Sequence, residues 1–293
     1  MRAVLLIIAA LIIFPPVKNT GGLFARQGAG SVIEKPGICY SVRGGEKGLL
    51  DLYLPAGEGT SRPGVLLIHG GGWRGGDRGQ WAELAGVLAL RGFVCASASY
   101  RLAPDVQMSG IITDVRLAMD FFKSHAAEYG MDKNRIGAVG SSAGGHLAAL
   151  LGMIAPGDRL GDPDLTLVHD TRPRAVACYN PVLDFLTESL IWPHQLIVFR
   201  RGPEQGETIY GQASPARRIS AQAPPFLFLY GTLDTLTPEE NSREMISRLA
   251  ACGVAVEVAM FRGMEHGFGY RLRGPEQKRA AQVVANFFER MLE

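Results

Sequence analysis

The sequence predicts an α/β domain: a mostly parallel central sheet flanked by helices on both faces. Three observations carry this. Short apolar runs that read as buried strands alternate with segments of helical periodicity. One such run, Arg135 to Gly140, passes through Gly140-Ser141-Ser142-Ala143-Gly144 directly into a helical segment. The chain has 293 residues, enough for one large α/β domain or two small ones with a core that needs no disulfide staples.

The elements follow in order. Leu49–Pro55 reads as an early strand ended by proline, Gly64–His69 as a buried strand, and Phe93–Ser99 as another. Between the last two, Gln80–Arg91 is a helix stopped at Gly92. A longer helix is predicted over Ser109–Tyr129, with Ile111, Val115, Ala118, Met119 and Phe122 on one face and Gly130 closing it. Arg174–Tyr179 and Phe226–Tyr230 supply two further strands. The helix after them is predicted to start at a capping box, Thr237-Pro-Glu-Glu240, and to end at Cys252-Gly253. Val254–Met260 is the last strand. Ala280, Val283, Val284, Phe287, Phe288 and Met291 then form the stripe of a C-terminal helix. Residues 181–225 break this rhythm and read as a small cap-like insertion over the strand C-terminal ends.

The pentapeptide at 140–144 has the strand, sharp turn and helix of a nucleophile elbow, with Ser142 at its tip. Glycines flank the turn because the backbone is strained there and neighbouring elements leave no room for a Cβ. A serine hydroxyl needs a base, and the base needs an orienting acid. His266, in the loop after the last strand, is the histidine placed to return over Ser142. Asp234, after the strand at 226–231, is the favoured acid, with Asp184 its competitor. Asp158, Asp162, Asp164 and Asp170 read as solvated or capping residues, and Glu265 as solvated. An oxyanion needs preorganised N–H donors. The loop His69-Gly-Gly-Gly72 offers Gly71 and Gly72, and the elbow offers the Ala143 N–H. His69 is expected to hold that loop by hydrogen bonding. No Lys-Ser/Thr follows the glycines, which excludes a P-loop, and a dinucleotide fingerprint is poorly matched. Trp73, Trp192 and Phe199 are candidates to line a substrate pocket, with core packing the competing role. His146 is expected to pack or cap, and Asp77 to cap the helix after it.

Composition narrows the partners. With 30 basic and 28 acidic residues the net charge is +2, and nothing points to nucleic acid or a strongly anionic partner. Four cysteines (Cys39, Cys95, Cys178, Cys252) show no CxxC or metal-ligand spacing, so no metal is expected; buried free thiols are the favoured reading. Met1-Arg2, the apolar run Ala3–Phe14 and Pro15-Pro16 have the layout of a secretory signal, too short to span a bilayer comfortably. Residues 1–25 are therefore expected to be a leader, making the protein secreted or periplasmic. Retained as an anchor, the same segment would make the membrane a partner. Residues 26–37 read as a linker and 38–293 as the domain.

His69-Gly-Gly-Gly-Trp73, Tyr100-Arg-Leu-Ala-Pro104, Gly140-Ser-Ser-Ala-Gly-Gly-His146, Ala213-Ser-Pro215, Gly231-Thr-Leu-Asp234 and His266-Gly-Phe268 together resemble the α/β-hydrolase esterases. Within these they are similar to the bifunctional feruloyl and acetyl xylan esterase-like group, over nearly the whole chain from residue 38. The hormone-sensitive-lipase-like esterases share the first two motifs, but this chain lacks their Asp-Pro-Leu at the acid. Kynurenine formamidases share the elbow and typically carry an aromatic residue within the glycine loop. The resemblance implies an α/β-hydrolase fold and a carboxylic ester hydrolase that needs no cofactor and takes small-molecule or carbohydrate esters. An aryl-formamidase or other amide hydrolase is the alternative, and a non-catalytic binding protein of the same shape the third.

Overall fold

The computed structural model describes residues 31–155, 157–187, 192–200 and 203–293, with the side chains of 192–194 and 203–207 outside the description. Eight strands form one sheet: β1 (Val32–Cys39), β2 (Leu49–Pro55), β3 (Arg62–Ile68), β4 (Val94–Ala98), β5 (Met131–Ser141), β6 (Val176–Tyr179), β7 (Phe226–Gly231) and β8 (Val256–Phe261). Their order is β1-β2-β4-β3-β5-β6-β7-β8. The β1–β2 and β2–β4 pairs are antiparallel, and every pair from β4 through β8 is parallel.

Alternate side chains along a strand face opposite ways, and the core divides accordingly. Leu66 and Ile68 of β3 pack with α2 (Met108–Ser124), α3 (Ala143–Met153) and α6 (Arg243–Ala251). Val65 and Leu67 pack with α1 (Ala82–Leu90) and α7 (Pro275–Met291) on the other face. The expected face of α2, from Ile111 to Phe122, is fully buried, although the helix ends at Ser124 and gives way to turns before Gly130. Two helices, α4 (Trp192–Phe199) and α5 (Pro203–Gln212), occupy the insertion between β6 and β7.

Three expectations are corrected. Residues 32–37, expected to end a linker, belong to strand β1. It contains Pro36-Gly37 and is largely exposed; its register slips between Lys35 and Ile38, and as an edge strand it tolerates a missing N–H. Thr237 caps no helix: a short 3-10 turn at Glu239–Ser242 precedes α6, with Pro238 at its N-cap. Of the free cysteines only Cys95 and Cys178 are buried; Cys39 ends the edge strand and Cys252 caps α6, and both are exposed. The leader expected at residues 1–25 lies outside the described residues.

Candidate active site

Strand β5 runs into α3 through Ser142, whose backbone has φ +56° and ψ −121°. A non-glycine residue in that region stores strain of about 1–3 kcal/mol, which the surrounding structure must impose. It does so from both sides. The Ser142 N–H donates to the Tyr179 carbonyl (2.8 Å) on β6, and the Ser142 carbonyl accepts the His146 N–H (2.9 Å) in α3. A Cβ on Gly144 would collide with the Ile68 carbonyl oxygen, so glycine there lets α3 close against the end of β3. The result is a half-buried serine at the N-terminus of a helix, with an N–H of the first turn beside it.

The acid and histidine loops meet because β7 and β8 are parallel neighbours whose C-terminal loops lie side by side. The Thr232 N–H donates to the Phe261 carbonyl (3.0 Å) and the Leu233 N–H to the Met264 carbonyl (2.9 Å), lacing the loops together. His266 Nδ1 stands 2.7 Å from Asp234 Oδ2, so the imidazole donates to a buried carboxylate. Asp234 Oδ1 accepts the N–H groups of Leu236 (2.8 Å) and Thr237 (3.0 Å). Burial alone would raise this carboxyl, but the bonds from His266 and the two backbone amides outweigh it and hold it below its usual range. The Thr237 hydroxyl donates to the Asn180 carbonyl (2.9 Å) and lies 3.2 Å from His266 Nδ1. Tyr179 and Asn180 thus hold the elbow from one peptide and the acid–histidine pair from the next. Sequence reading missed this role of Thr237, because Thr-Pro-Glu-Glu also fits a helix start.

Ser142 Oγ makes no hydrogen bond among the described residues, so the serine shares the rim with the Asp234–His266 pair without being bonded to it here. Such bonds commonly tighten only when substrate binds. On the opposite side, the loop after β3 brings up its glycines. Among the described residues the N–H groups of Gly71, Gly72 and Ala143 have no acceptor, whereas the Gly70 N–H donates to the Tyr270 hydroxyl (2.7 Å). His69 is buried, stacks on Tyr100 (4.2 Å) and sets Nδ1 2.8 Å from the Gly70 carbonyl, the loop-holding bond expected of it.

Other expectations sort cleanly. Asp184 accepts Arg217 Nε at 2.9 Å and the Leu186 N–H, which removes it from competition. Asp158, Asp162 and Asp170 pair with Arg218, Arg43 and Arg172. Asp77 caps the 3-10 turn at Arg78–Trp81 through the Gly79 N–H. Trp73, a candidate for substrate contact, is 1% exposed: its indole N–H donates to His146 Nδ1 (3.2 Å) and its ring packs on Phe185. It is core, because His146 gives the indole a buried partner. Phe199 is likewise buried, against Phe185 and Tyr210. Trp192 opens α4, and its side chain lies outside the described residues. His146 Nε2 donates to the Ala213 carbonyl (2.7 Å), tying the insertion to α3. A cavity of about 390 Å³ lies between the start of α2 and the insertion, with Gln107, Ile112, Phe199 and Arg218 in its wall. None of Ser142, Asp234 and His266 lines it. Among the described residues no group of three or more His, Cys, Asp or Glu side chains could hold a metal ion. No helix among them is long and apolar enough to cross a membrane.

The sheet order, the strained serine between β5 and α3, and the acid and histidine on the loops after β7 and β8 define an α/β-hydrolase. The BD-FAE family model matches residues 50–249, and the chain belongs to that family. The dienelactone hydrolase family model matches residues 207–293. Esterase LipC of Mycobacterium tuberculosis is 31% identical over 237 residues, covering 78% of this chain and 58% of LipC. The probable carboxylic ester hydrolase LipM of the same organism is 36% identical over 194 residues, 64% of this chain and 44% of LipM. The chain thus spans about half the length of the curated relatives it matches. Among solved structures, a truncated carbohydrate esterase from gut microbiota shares the fold with TM-score 0.75 at 21% identity, covering 88% of this chain and 96% of that one. Esterase 2 of Thermogutta terrifontis, phosphorylated by paraoxon, has TM-score 0.71 at 27% identity over 88% and 93% of the two chains.

Proposed function

We propose that this protein is a serine ester hydrolase acting on short acyl esters, those of carbohydrates included, through an acyl-enzyme. The observation that carries this reading is the 2.7 Å His266–Asp234 pair, delivered by the loops after β7 and β8 to the rim that holds Ser142. The names of the LipC and LipM relatives and the paraoxon-modified neighbour support it.

The chemistry follows from the roles the groups can fill. With Nδ1–H committed to Asp234, His266 presents Nε2 as a base. Ser142 Oγ attacks the ester carbonyl while Nε2 takes its proton. The carbonyl oxygen becomes an oxyanion, stabilised by the N–H groups of Gly71, Gly72 and Ala143, which have no acceptor among the described residues. Collapse expels the alcohol, which leaves with the proton held by His266. Water then attacks the acyl-serine with the same imidazole as base, and the acid is released. The basic, apolar and proline-ended segment at 1–16 supports export, which fractionation of expressing cells would test.

The test is Ser142→Ala, assayed with p-nitrophenyl acetate: turnover should vanish, and wild-type rates in the variant would reject the assignment. A panel of acetyl, butyryl, feruloyl and formamide substrates sets the class. Preference for N-formylkynurenine over the acetate ester would replace this reading with an amide hydrolase, and no turnover of any of them with a binding protein.

A further inference from the structure

The glycine loop and the histidine loop meet at one phenol. Tyr270 lies four residues after His266 in a single 3-10 turn, Phe268–Tyr270. Its oxygen accepts the Gly70 N–H at 2.7 Å and stands 3.5 Å from the Ser141 carbonyl oxygen, an acceptor for its O–H. Gly70 is the residue before the two amides assigned to the oxyanion, and Ser141 is the residue before the nucleophile. A Cβ added to Gly70 would strike the phenol oxygen, come 2.5 Å from the Ser141 carbonyl oxygen and 3.2 Å from Ser142 Cβ. Three segments of chain therefore touch at a point where only glycine fits.

The phenol is held from several sides. Its ring packs on the buried Trp81 at 4.8 Å. The following residues are tied down by Glu83, which accepts the Leu272 N–H (2.7 Å) and pairs with Arg271 (3.2 Å). Before it, Phe268 packs edge-on against Tyr179 (5.3 Å), the residue whose carbonyl holds Ser142. Burial pushes the phenol above its ordinary range, so the hydroxyl keeps its proton and its donor function across the working range of a histidine base.

Of the three successive glycine amides, the first is thus satisfied internally, while the next two have no acceptor among the described residues and are open to an incoming oxygen. We infer that Tyr270 is a positioning residue of the proposed hydrolase: its hydroxyl fixes the glycine loop against the elbow so that the amides of Gly71, Gly72 and Ala143 converge, and it couples that geometry to the loop carrying His266. This rests on the ester-hydrolase reading. A donor array aimed at a developing oxyanion acts on the transition state more than on bound substrate, so loosening it lowers kcat and leaves KM nearly unchanged.

The experiment is Tyr270→Phe in the full chain, which removes one oxygen and keeps the ring. Kinetics with p-nitrophenyl acetate, the rate of phosphorylation by paraoxon and thermal unfolding are measured together. Losing the hydroxyl and stranding the Gly70 N–H should lower kcat roughly 10- to 100-fold. KM should stay within about threefold, and paraoxon phosphorylation should slow in parallel. The pH–rate profile should keep its inflection, since the His266–Asp234 pair is untouched. A variant with kcat within about twofold of wild type, or one whose loss tracks only its unfolded fraction, overturns the assignment. Should Tyr270→Phe fail to fold, Gly70→Ala pushes the loop off both the phenol and the Ser141 carbonyl, and unchanged kcat in that variant overturns the assignment. A wild-type protein inert toward both ester and paraoxon overturns the hydrolase reading itself, a result distinct from an active wild type with an equally active Tyr270→Phe.

Discussion

Acidification from pH 7 to 5 should destabilise this fold through two buried imidazoles, and His146→Gln isolates one of them. His146 accepts the Trp73 indole N–H on Nδ1 and donates Nε2–H to Ala213, so the ring is neutral with both nitrogens used. Burial pushes it down to about 4, and His69 likewise. Histidine in an unfolded chain titrates near 6.5. Above that pH neither state takes the proton, and the contribution is fully present. Between 6.5 and the folded value the unfolded chain binds a proton that the native state refuses. Stability then falls by about 1.4 kcal/mol per pH unit for each histidine. The loss reaches about 2 kcal/mol per ring at pH 5 and levels off at about 3 kcal/mol below pH 4. Glutamine at 146 can still donate to the Ala213 carbonyl but does not titrate. It loses the indole bond and the ring contacts with Trp73 and Phe185, at a cost of about 1–3 kcal/mol at pH 7. Urea unfolding followed by tryptophan fluorescence at pH 7, 6 and 5 measures both proteins. The stability gap between wild type and His146→Gln should narrow by about 2 kcal/mol from pH 7 to pH 5. A gap that stays constant across that range refutes the reasoning, because it would mean that His146 binds its proton equally well folded and unfolded.

Two further substitutions probe the rim. Asp234→Asn removes the charge that fixes the Nδ1–H tautomer of His266, and kcat for p-nitrophenyl acetate should fall about 10³- to 10⁴-fold; a loss under tenfold would point to another acid. Thr237→Val removes the hydroxyl that binds the Asn180 carbonyl and lies against His266 Nδ1. It should lower kcat by about 5- to 20-fold with KM nearly constant, whereas a change confined to the melting temperature would make Thr237 purely structural.

Much of the candidate site was legible before any coordinates. A strand entering Gly140-Ser-Ser-Ala-Gly144 and leaving as an apolar helix marks Ser142 by local sterics alone, whereas the order serine, acid, histidine is that of the α/β-hydrolase topology the motifs resemble. Strand β1 was not legible, since Pro36-Gly37 and a slipped register mask a strand that exists only because β2 offers it an edge. Trp73 reads equally well as a pocket wall or as core. The decision belongs to His146, 73 residues away, which supplies the buried acceptor.

Local chain chemistry, then, determined the turn, the buried strands and the types of residue available at the rim, because these depend on neighbours within a few positions. Only the assembled tertiary structure decided which distant groups share a hydrogen bond: Thr237 with Asn180, His146 with Ala213, and Tyr270 with a glycine amide 200 positions earlier. The reason is physical. A lone hydroxyl or imidazole carries no periodic signal, and its partner is set by which strand ends the parallel register brings side by side.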